Sequence, residues 1–128
     1  METNTTFDLS SNNLIGEIPG SIGNLSSLRL LNLSKNYLEG KISPSFGEIS
    51  SLEQLDLSKN NLSGEIPQAF SKLTKLTCLN VSSNRLCGPI PKGWQLDTFG
   101  PTLFAKNDCL CDSPLQACKE SEKQQHKV

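Results

Sequence analysis

Residues 55–67 read Leu55-Asp56-Leu57-Ser58-Lys59-Asn60-Asn61-Leu62-Ser63-Gly64-Glu65-Ile66-Pro67, and the chain repeats this frame four times. An asparagine recurs every 24 residues, and a glycine and an isoleucine follow it in step. These columns are Asn12, Asn36, Asn60 and Asn84, then Gly16, Gly40, Gly64 and Gly88, then Ile18, Ile42, Ile66 and Ile90. A strict period of this length is typical of a solenoid, in which each repeat contacts only its neighbours.

The middle of each repeat predicts a short β-strand, because Leu55-Asp56-Leu57 alternates apolar and polar residues. Stacked repeats would place these strands in a parallel sheet, with their leucines pointing inward (Phe7 in the first repeat). The periodic asparagine stands where the strand turns away, and its amide can pair with backbone groups that leave the sheet there. We therefore expect a structural asparagine ladder made of Asn12, Asn36, Asn60 and Asn84.

The segment after each strand predicts a convex back of short helical turns. Glycine relaxes the backbone, and Pro19, Pro67 and Pro91 prevent a helix or a sheet from continuing. Three apolar columns in this segment are expected to be buried. They are Ile22, Phe46 and Phe70, then Leu25, Ile49 and Leu73, then Leu28, Leu52 and Leu76.

The pattern divides the chain into four parts. Residues 1–6 form an N-terminal stub, residues 7–94 form about four repeats, residues 95–118 form a Cys-rich cap, and residues 119–128 form a polar tail predicted to be disordered. Because Phe7 already occupies a core position, the sequence resembles the C-terminal part of a longer array or a truncated product. The first repeat would then be under-covered, at Phe7, Leu9, Leu14, Ile18 and Ile22.

Composition points to a secreted parent protein. The net charge is −1 and no basic cluster stands out, so we expect no nucleic-acid partner. The sequence contains no apolar run of membrane-spanning length and no visible signal peptide. Four of the five cysteines nevertheless lie at the C-terminal end, and glycosylation sequons begin at Asn4, Asn24, Asn32, Asn61 and Asn80. We expect an extracellular or cell-surface location for the parent.

The cysteines allow several pairings. Cys111 and Cys118 can close a small loop, and Cys87 can tie down the cap through Cys109, but other connectivities survive. Cys78 is the odd cysteine and would face the concave surface. It is there either for an intermolecular bridge or as a small residue that a strand start tolerates.

The repeat ending Leu-x-Gly-x-Ile-Pro resembles that of plant extracellular leucine-rich-repeat proteins. The stretches 80–91 (NVSSNRLCGPIP), 107–111 (NDCLC) and 114–118 (PLQAC) are similar to the ends of polygalacturonase-inhibiting proteins and of leucine-rich-repeat receptor-like proteins and kinases. The resemblance implies an α/β leucine-rich-repeat solenoid, or horseshoe, with a parallel β-sheet on its concave face and a disulfide C-terminal cap. It also implies the pairs Cys87–Cys109 and Cys111–Cys118. Asp112 departs from the glycine usual in the family, and the family's arrays are longer, so no inhibitor residue is carried over.

As the resemblance implies, the chain would recognise a protein or peptide on its concave face, in defence or receptor signalling, with a receptor kinase as a candidate partner. The column Ser10, Ser34, Ser58 and Ser82 is constant and reads as structural. The columns that vary could specify a ligand, or they could be ordinary solvated positions. The candidate binding residues from these columns are Arg29, Lys35, Tyr37, Glu53, Gln54, Lys59 and Arg85.

Other functions fit the residues less well. The single histidine, His126, lies in the polar tail, and the sequence has no phosphate-binding loop, so we expect neither an enzyme nor a cofactor. Asp8 and Asp56 share a column two repeats apart, but they follow the ordinary Asp/Asn choice of that column. Zinc binding by the C-terminal cysteines and His126 lacks paired C-x-x-C spacing, and disulfides explain the cysteines better. The remaining alternatives are a polygalacturonase-inhibitor-like protein and a truncated fragment without independent activity.

Overall fold

The computed structural model describes residues 5–93 and 95–119, which fold into a solenoid of short strands and 3-10 helices. The strands are β1 Thr5–Asp8, β2 Ile15–Glu17, β3 Leu28–Asn32, β4 Tyr37–Lys41, β5 Gln54–Asp56, β6 Asn61–Gly64, β7 Cys78–Asn80, β8 Arg85–Pro89 and β9 Cys109–Cys111. The 3-10 helices are η1 Gly20–Asn24, η2 Pro44–Glu48, η3 Gln68–Lys72, η4 Leu96–Thr98 and η5 Pro101–Phe104. The polar tail beyond Lys119 and the start of the N-terminal stub lie outside the described residues.

The strands form two parallel sheets. The inner sheet contains β1, β3, β5 and β7, and the flanking sheet contains β2, β4, β6, β8 and β9, each in that order. In the inner sheet equivalent residues of successive repeats pair, as Leu31 does with Leu55. In the flanking sheet the paired residues are two positions closer in sequence than one full repeat, so that Ile15 pairs with Tyr37. Each repeat therefore contributes a strand to both sheets, and the pairing in the flanking sheet is offset from that in the inner sheet.

The core lies between the inner sheet and the 3-10 helices, as the periodic pattern predicts. The inward residues of the inner sheet, Leu31, Leu55 and Leu79, are at most 1% exposed. On the opposite wall Phe46 and Phe70 are fully buried, and their rings meet edge to face with centroids 5.9 Å apart. The expected parallel sheet and the buried helical back are both confirmed.

Local residues determine where the 3-10 helices begin and how closely they stack. Each of the first three follows an extended residue, namely Pro19, Ser43 or Pro67. Successive turns also approach each other closely, since a Cβ added at Gly47 would lie 2.7 Å from the Ala69 carbonyl oxygen. Glycine at this position therefore sets the spacing of the convex wall, and a larger side chain would force neighbouring repeats apart.

The flanking sheet was not predicted from the sequence. Its central glycines have positive φ values, +84° at Gly40 and +80° at Gly64, which L side chains rarely adopt. The Glu17 side chain also crosses Gly40 and would stand 2.7 Å from an added Cβ, so this flexible side chain would have to move aside. The periodic glycine therefore serves both the backbone conformation and a cross-strand contact.

The first repeat is partly uncovered, as expected from its position. Phe7, Leu9 and Leu14 are 40%, 45% and 36% exposed, and Ile22 is half-buried. Ile18 does not follow this expectation, because it is only 7% exposed and belongs to the core cluster. Among the described residues no helix has the length and apolar character needed to cross a membrane.

Candidate recognition surface

The asparagine ladder holds the turn at the end of each inner strand. The Asn84 amide donates to the carbonyls of Leu57, Val81 and Ser82 at 3.0, 3.1 and 3.2 Å, and its Oδ1 accepts from the Leu62 amide at 3.0 Å. Asn60 and Asn36 make the equivalent contacts one and two repeats earlier, whereas the Asn12 amide donates only to the Ser10 carbonyl of its own turn among the described residues. Each of the other three side chains thus joins its own turn to the preceding repeat and meets buried backbone groups that would otherwise lose a partner.

Asn107 continues this ladder into the C-terminal end. Its amide donates to the carbonyls of Val81, Phe104 and Ala105 at 3.1, 3.0 and 3.2 Å, and its Oδ1 accepts from the Leu86 amide at 3.0 Å. Sequence reasoning missed this role. The signal was an asparagine 23 residues after Asn84, one residue short of the period. The cap therefore continues the stacking pattern of the repeats.

Disulfides close the same end. Cys87 on β8 is in register with Cys109 on β9, and the two are bonded, while a second bond joins Cys111 to Cys118. These are the pairs that the resemblance implies. The two bonds use the three cysteines that the zinc hypothesis names, and its fourth member, His126, lies outside the described residues.

Gln95 closes the convex wall and was also missed as a structural residue. Its side chain is 4% exposed, and its amide donates to the carbonyls of Ser71 at 2.9 Å and Leu73 at 3.1 Å. These carbonyls belong to the last full turn of the wall, beyond which the 24-residue spacing ends. Gln95 thereby donates hydrogen bonds to carbonyls at the end of the convex wall, as Asn107 does at the end of the inner sheet.

The constant serine column is structural. The Ser58 hydroxyl donates to Asp56 Oδ1 at 2.7 Å, and the Ser58 amide donates to the same oxygen at 2.9 Å. The same turn occurs in the first repeat, where these two bonds from Ser10 lower the pKa of Asp8. A carboxylate or an amide oxygen satisfies the turn equally well, which explains the alternation of Asp and Asn in this column.

One group of predicted binding residues lies at the beginning of the inner strands. Gln54 is exposed and shares a pairing row with Leu30 and Cys78. Beside it the Arg29 guanidinium donates two 3.0 Å bonds to the carboxylate of Glu53, and this contact lowers the pKa of Glu53. Together these residues line an open depression of about 280 Å³ that also includes Thr6 and Leu30.

Cys78 lies in the same row as Gln54, and its thiol is free and half-buried. Burial raises the pKa of the Cys78 thiol, and the negative charge of Asp56 raises it further. The thiol is therefore protonated at neutral pH and is a poor nucleophile.

The second group lies at the other rim, where the chain leaves the inner sheet. Lys35 and Lys59 are exposed and have a left-handed backbone, with φ of 58° at both positions. Tyr37 and Arg85 begin strands β4 and β8 of the flanking sheet, so they border the inner sheet from outside. Tyr37 is 65% exposed, and Arg85 pairs with Asp108 at 3.4 Å. The predicted residues therefore form two rims rather than one patch.

The predicted glycosylation sites differ in their surroundings. Asn24 and Asn61 are exposed, whereas Asn32 and Asn80 face the inner surface with their Oδ1 atoms accepting from the amides of Ser34 and Ser82. Asn4 lies outside the described residues. Asn24 and Asn61 are thus the sequons whose side chains stand open to solvent.

Stacked parallel strands, a continuous asparagine ladder and a covalently closed end define a solenoid repeat protein with a polar inner face. Comparison with known proteins agrees. Leucine-rich-repeat family models match residues 41–86, and also residues 5–25 and 27–49. No curated protein sequence matches the chain significantly.

Several solved structures are similar to this chain. The BIR2 ectodomain from Arabidopsis thaliana is 39% identical with a TM-score of 0.85, over 89% of this chain and 60% of that one. A chain of the BIR3–SERK2 complex from Arabidopsis thaliana is 34% identical with a TM-score of 0.70, over 88% and 72%. The ectodomain of the Arabidopsis thaliana receptor kinase SOBIR1 is 30% identical with a TM-score of 0.64, over 83% and 72%. The present chain thus spans 60% of the length of the BIR2 ectodomain. It belongs to the plant extracellular leucine-rich-repeat family.

Proposed function

We propose that this chain is a non-enzymatic recognition module of a plant cell-surface receptor system, and that a protein or peptide binds across its inner face. The observation that carries this proposal is that the constant residues of each repeat have structural roles, which leaves the variable ones for binding. The leucines are buried in the core, the asparagine forms the ladder, and the serine stabilises the turn. The remaining inner-face columns are exposed or half-exposed, vary from repeat to repeat and are held in register by the sheet.

The similar structures support a role in receptor signalling or defence. BIR3 and SERK2 form a complex, and SOBIR1 is a receptor kinase. By analogy, we propose a receptor kinase as one partner of this chain. The two disulfides fit an oxidising compartment, which supports an extracellular location. We further propose N-glycans, first at the open sequons Asn24 and Asn61, and next at Asn4, Asn32 and Asn80.

Site-directed photo-crosslinking tests this function. A benzophenone amino acid replaces Gln54 on the inner face, and in a matched control variant it replaces Glu48 on the convex helix η2. Both positions are exposed. Each full chain, secreted from a eukaryotic host, is incubated with extracellular wash fluid from leaf tissue, irradiated, and analysed by mass spectrometry.

We expect covalent products with discrete protein or peptide species from position 54 and none from position 48, because the proposed ligand lies on the inner face and the convex helices face away from it. Capture from position 48 alone would move recognition to the convex side. Absence of products from both positions would contradict a ligand on the inner face.

A further inference from the structure

A row of lysines follows the rim where the chain leaves the inner sheet. The residue before each ladder asparagine has a left-handed backbone, with φ of 58° at Lys35, Lys59 and Ser83 and 60° at Lys106. The amides in this column donate to the next repeat at nearly constant distance, 3.0 Å from Lys35 to the Ser58 carbonyl and 3.0 Å from Lys59 to the Ser82 carbonyl. The side chains therefore start from identical backbone positions, one per repeat.

The fold itself does not require lysine in this column. A left-handed residue is best accommodated as glycine or asparagine, and other residues cost about 1 kcal/mol or more. Serine occupies the same position at Ser11 and Ser83 without changing the backbone. Lys35, Lys59 and Lys106 are all exposed, and they form no ion pair within residues 5–93 and 95–119. Neither packing nor pairing explains their charge.

The row places three positive side chains along one rim, although the chain as a whole carries a net charge of −1. The adjoining Arg85 is matched by Asp108, and at the opposite rim Arg29 is matched by Glu53. Along the inner sheet Asp56 accepts from the Ser58 amide and hydroxyl, and these neutral donors leave its negative charge in place. The three lysines are thus positive charges of this rim that have no ion-pair partner among the described residues.

The spacing of the row suits an extended chain. Adjacent repeats are about 4.8 Å apart, so Lys35 lies about 5 Å from Lys59 and about 14 Å from Lys106 at the backbone. In an extended peptide, side chains on one face recur about every 6.8 Å, and residues i and i+4 lie about 14 Å apart. A peptide crossing the repeats can therefore place alternate carboxylates opposite all three ammonium groups, whose flexible stems absorb the small mismatch.

We propose that the ligand of this face is an acidic extended peptide segment, whose carboxylates at alternate positions pair with Lys35, Lys59 and Lys106. This inference rests on the proposed recognition function and specifies its ligand class. The exposed Tyr37, two residues after Lys35, provides an aromatic border at one end of the row. Pairing at exposed groups is screened by salt, so binding must weaken as ionic strength rises.

The test uses a labelled nine-residue peptide of alternating Glu and Ser, and the same peptide with Gln in place of Glu. Fluorescence anisotropy measures binding to the secreted full chain after endoglycosidase treatment, because a glycan at Asn61 would border the row. The test variant is K35Q/K59Q/K106Q. The control variant K41Q/K72Q/K92Q removes the same net charge from exposed positions outside the row.

We expect the Glu peptide to bind about tenfold more tightly than the Gln peptide, which corresponds to ~1.4 kcal/mol. The test variant should lose that advantage, and the control variant should keep it. Equal affinity for the two peptides, or an equal loss of the preference for the Glu peptide in both variants, would refute binding through the lysine row. Tighter binding of a polyuronate than of the Glu peptide would overturn a peptide as the occupant.

The two proposals fail in different ways. If crosslinks still form from position 54 while the Glu peptide shows no lysine-dependent binding, the ligand class is wrong and inner-face recognition stands. If the Glu peptide binds through the row while position 54 captures nothing, the lysines form an anion-binding rim, and the wider recognition function is wrong.

Discussion

Replacing Asn60 with leucine tests the ladder that holds the repeats together. The Asn60 amide donates to the carbonyls of Leu33, Leu57 and Ser58 at 3.0, 3.2 and 3.2 Å, and its Oδ1 accepts from the Leu38 amide at 3.0 Å. Leucine fills a similar volume but offers none of these contacts. The substitution therefore removes hydrogen bonds with little change in packing volume.

The expected cost follows from which groups lose their last partner. The Leu33 carbonyl keeps a bond from Asn36, and the Leu57 carbonyl keeps one from Asn84. The Leu38 amide is left without its acceptor. An orphaned buried donor costs about 1–3 kcal/mol, and each lost bond to a carbonyl that keeps another partner costs roughly 0.5 kcal/mol. The Ser58 carbonyl likewise keeps a bond from the Lys35 amide, so three such bonds are lost and we expect Asn60→Leu to lower the free energy of unfolding by about 2.5–4.5 kcal/mol.

Asn12→Leu is the matched control, because it makes the same substitution at the same position of the first repeat. The Asn12 side chain makes one bond, 3.0 Å from its amide to the Ser10 carbonyl, and the residue is exposed. We expect its loss to cost less than about 1 kcal/mol. Urea unfolding followed by circular dichroism measures both variants. Equal destabilisation by the two substitutions would refute the ladder as the source of the effect.

Three further results are expected. Gln95→Leu should lower the melting temperature, because two carbonyls that close the convex wall lose their donor; the net cost should be about 1–3 kcal/mol, since leucine also removes Gln95 Oε1, which is buried without a partner among the described residues, and an unchanged melting temperature would contradict this. The pKa of Glu53 is lowered by Arg29, so its ionised form stabilises the folded chain above the unfolded pKa of about 4.3, and this contribution disappears as the pH falls through the folded pKa. Glu53→Gln should therefore reduce the loss of unfolding free energy as the pH falls below about 4.3. The same pH dependence in the variant and the parent chain would argue against the Arg29–Glu53 pair. Cys78 should react with iodoacetamide more slowly in the folded chain than in urea, since burial raises its pKa; equal rates would place the thiol in open solvent.

The inner sheet and the core were predictable because one signal is repeated four times. Leu31, Leu55 and Leu79 occupy the same point of the period, and the inner-sheet pairing preserves that period. An atypical residue in one repeat does not obscure the pattern, because the other repeats still show it. The ladder position was predictable for the same reason, since a constant polar residue next to a buried strand requires a backbone partner.

The flanking sheet was missed because its strands lack the pattern that identifies a strand. In β4, Leu38 is buried but Gly40 follows it with φ of +84°, so apolar alternation is lost after a single residue. Its pairing is also offset from the period, with Gly40 opposite Leu62. Such strands are stabilised by hydrogen bonds between repeats, which one repeat taken alone does not show.

The closing residues were missed because they break the pattern of the repeats, Asn107 in its spacing and Gln95 in its residue type. Asn107 comes 23 residues after Asn84, and Gln95 replaces the small residues that occupy its column in earlier repeats, such as Gly47. Both side chains act on carbonyls of the preceding repeat. Their function depends on the end of the stack, where the backbone groups would otherwise face solvent or the cap without a partner.

Thiol counting by mass spectrometry tests most directly whether the repeats and their closed end form one stable extracellular unit, without which neither rim of the inner face exists. The full chain is secreted from a eukaryotic host behind a supplied signal peptide, denatured, and alkylated with and without reduction. We expect one free thiol, at Cys78, before reduction, and disulfide-linked peptides containing Cys87 with Cys109 and Cys111 with Cys118. Five free thiols, or scrambled pairs in aggregated protein, would contradict the closed stack.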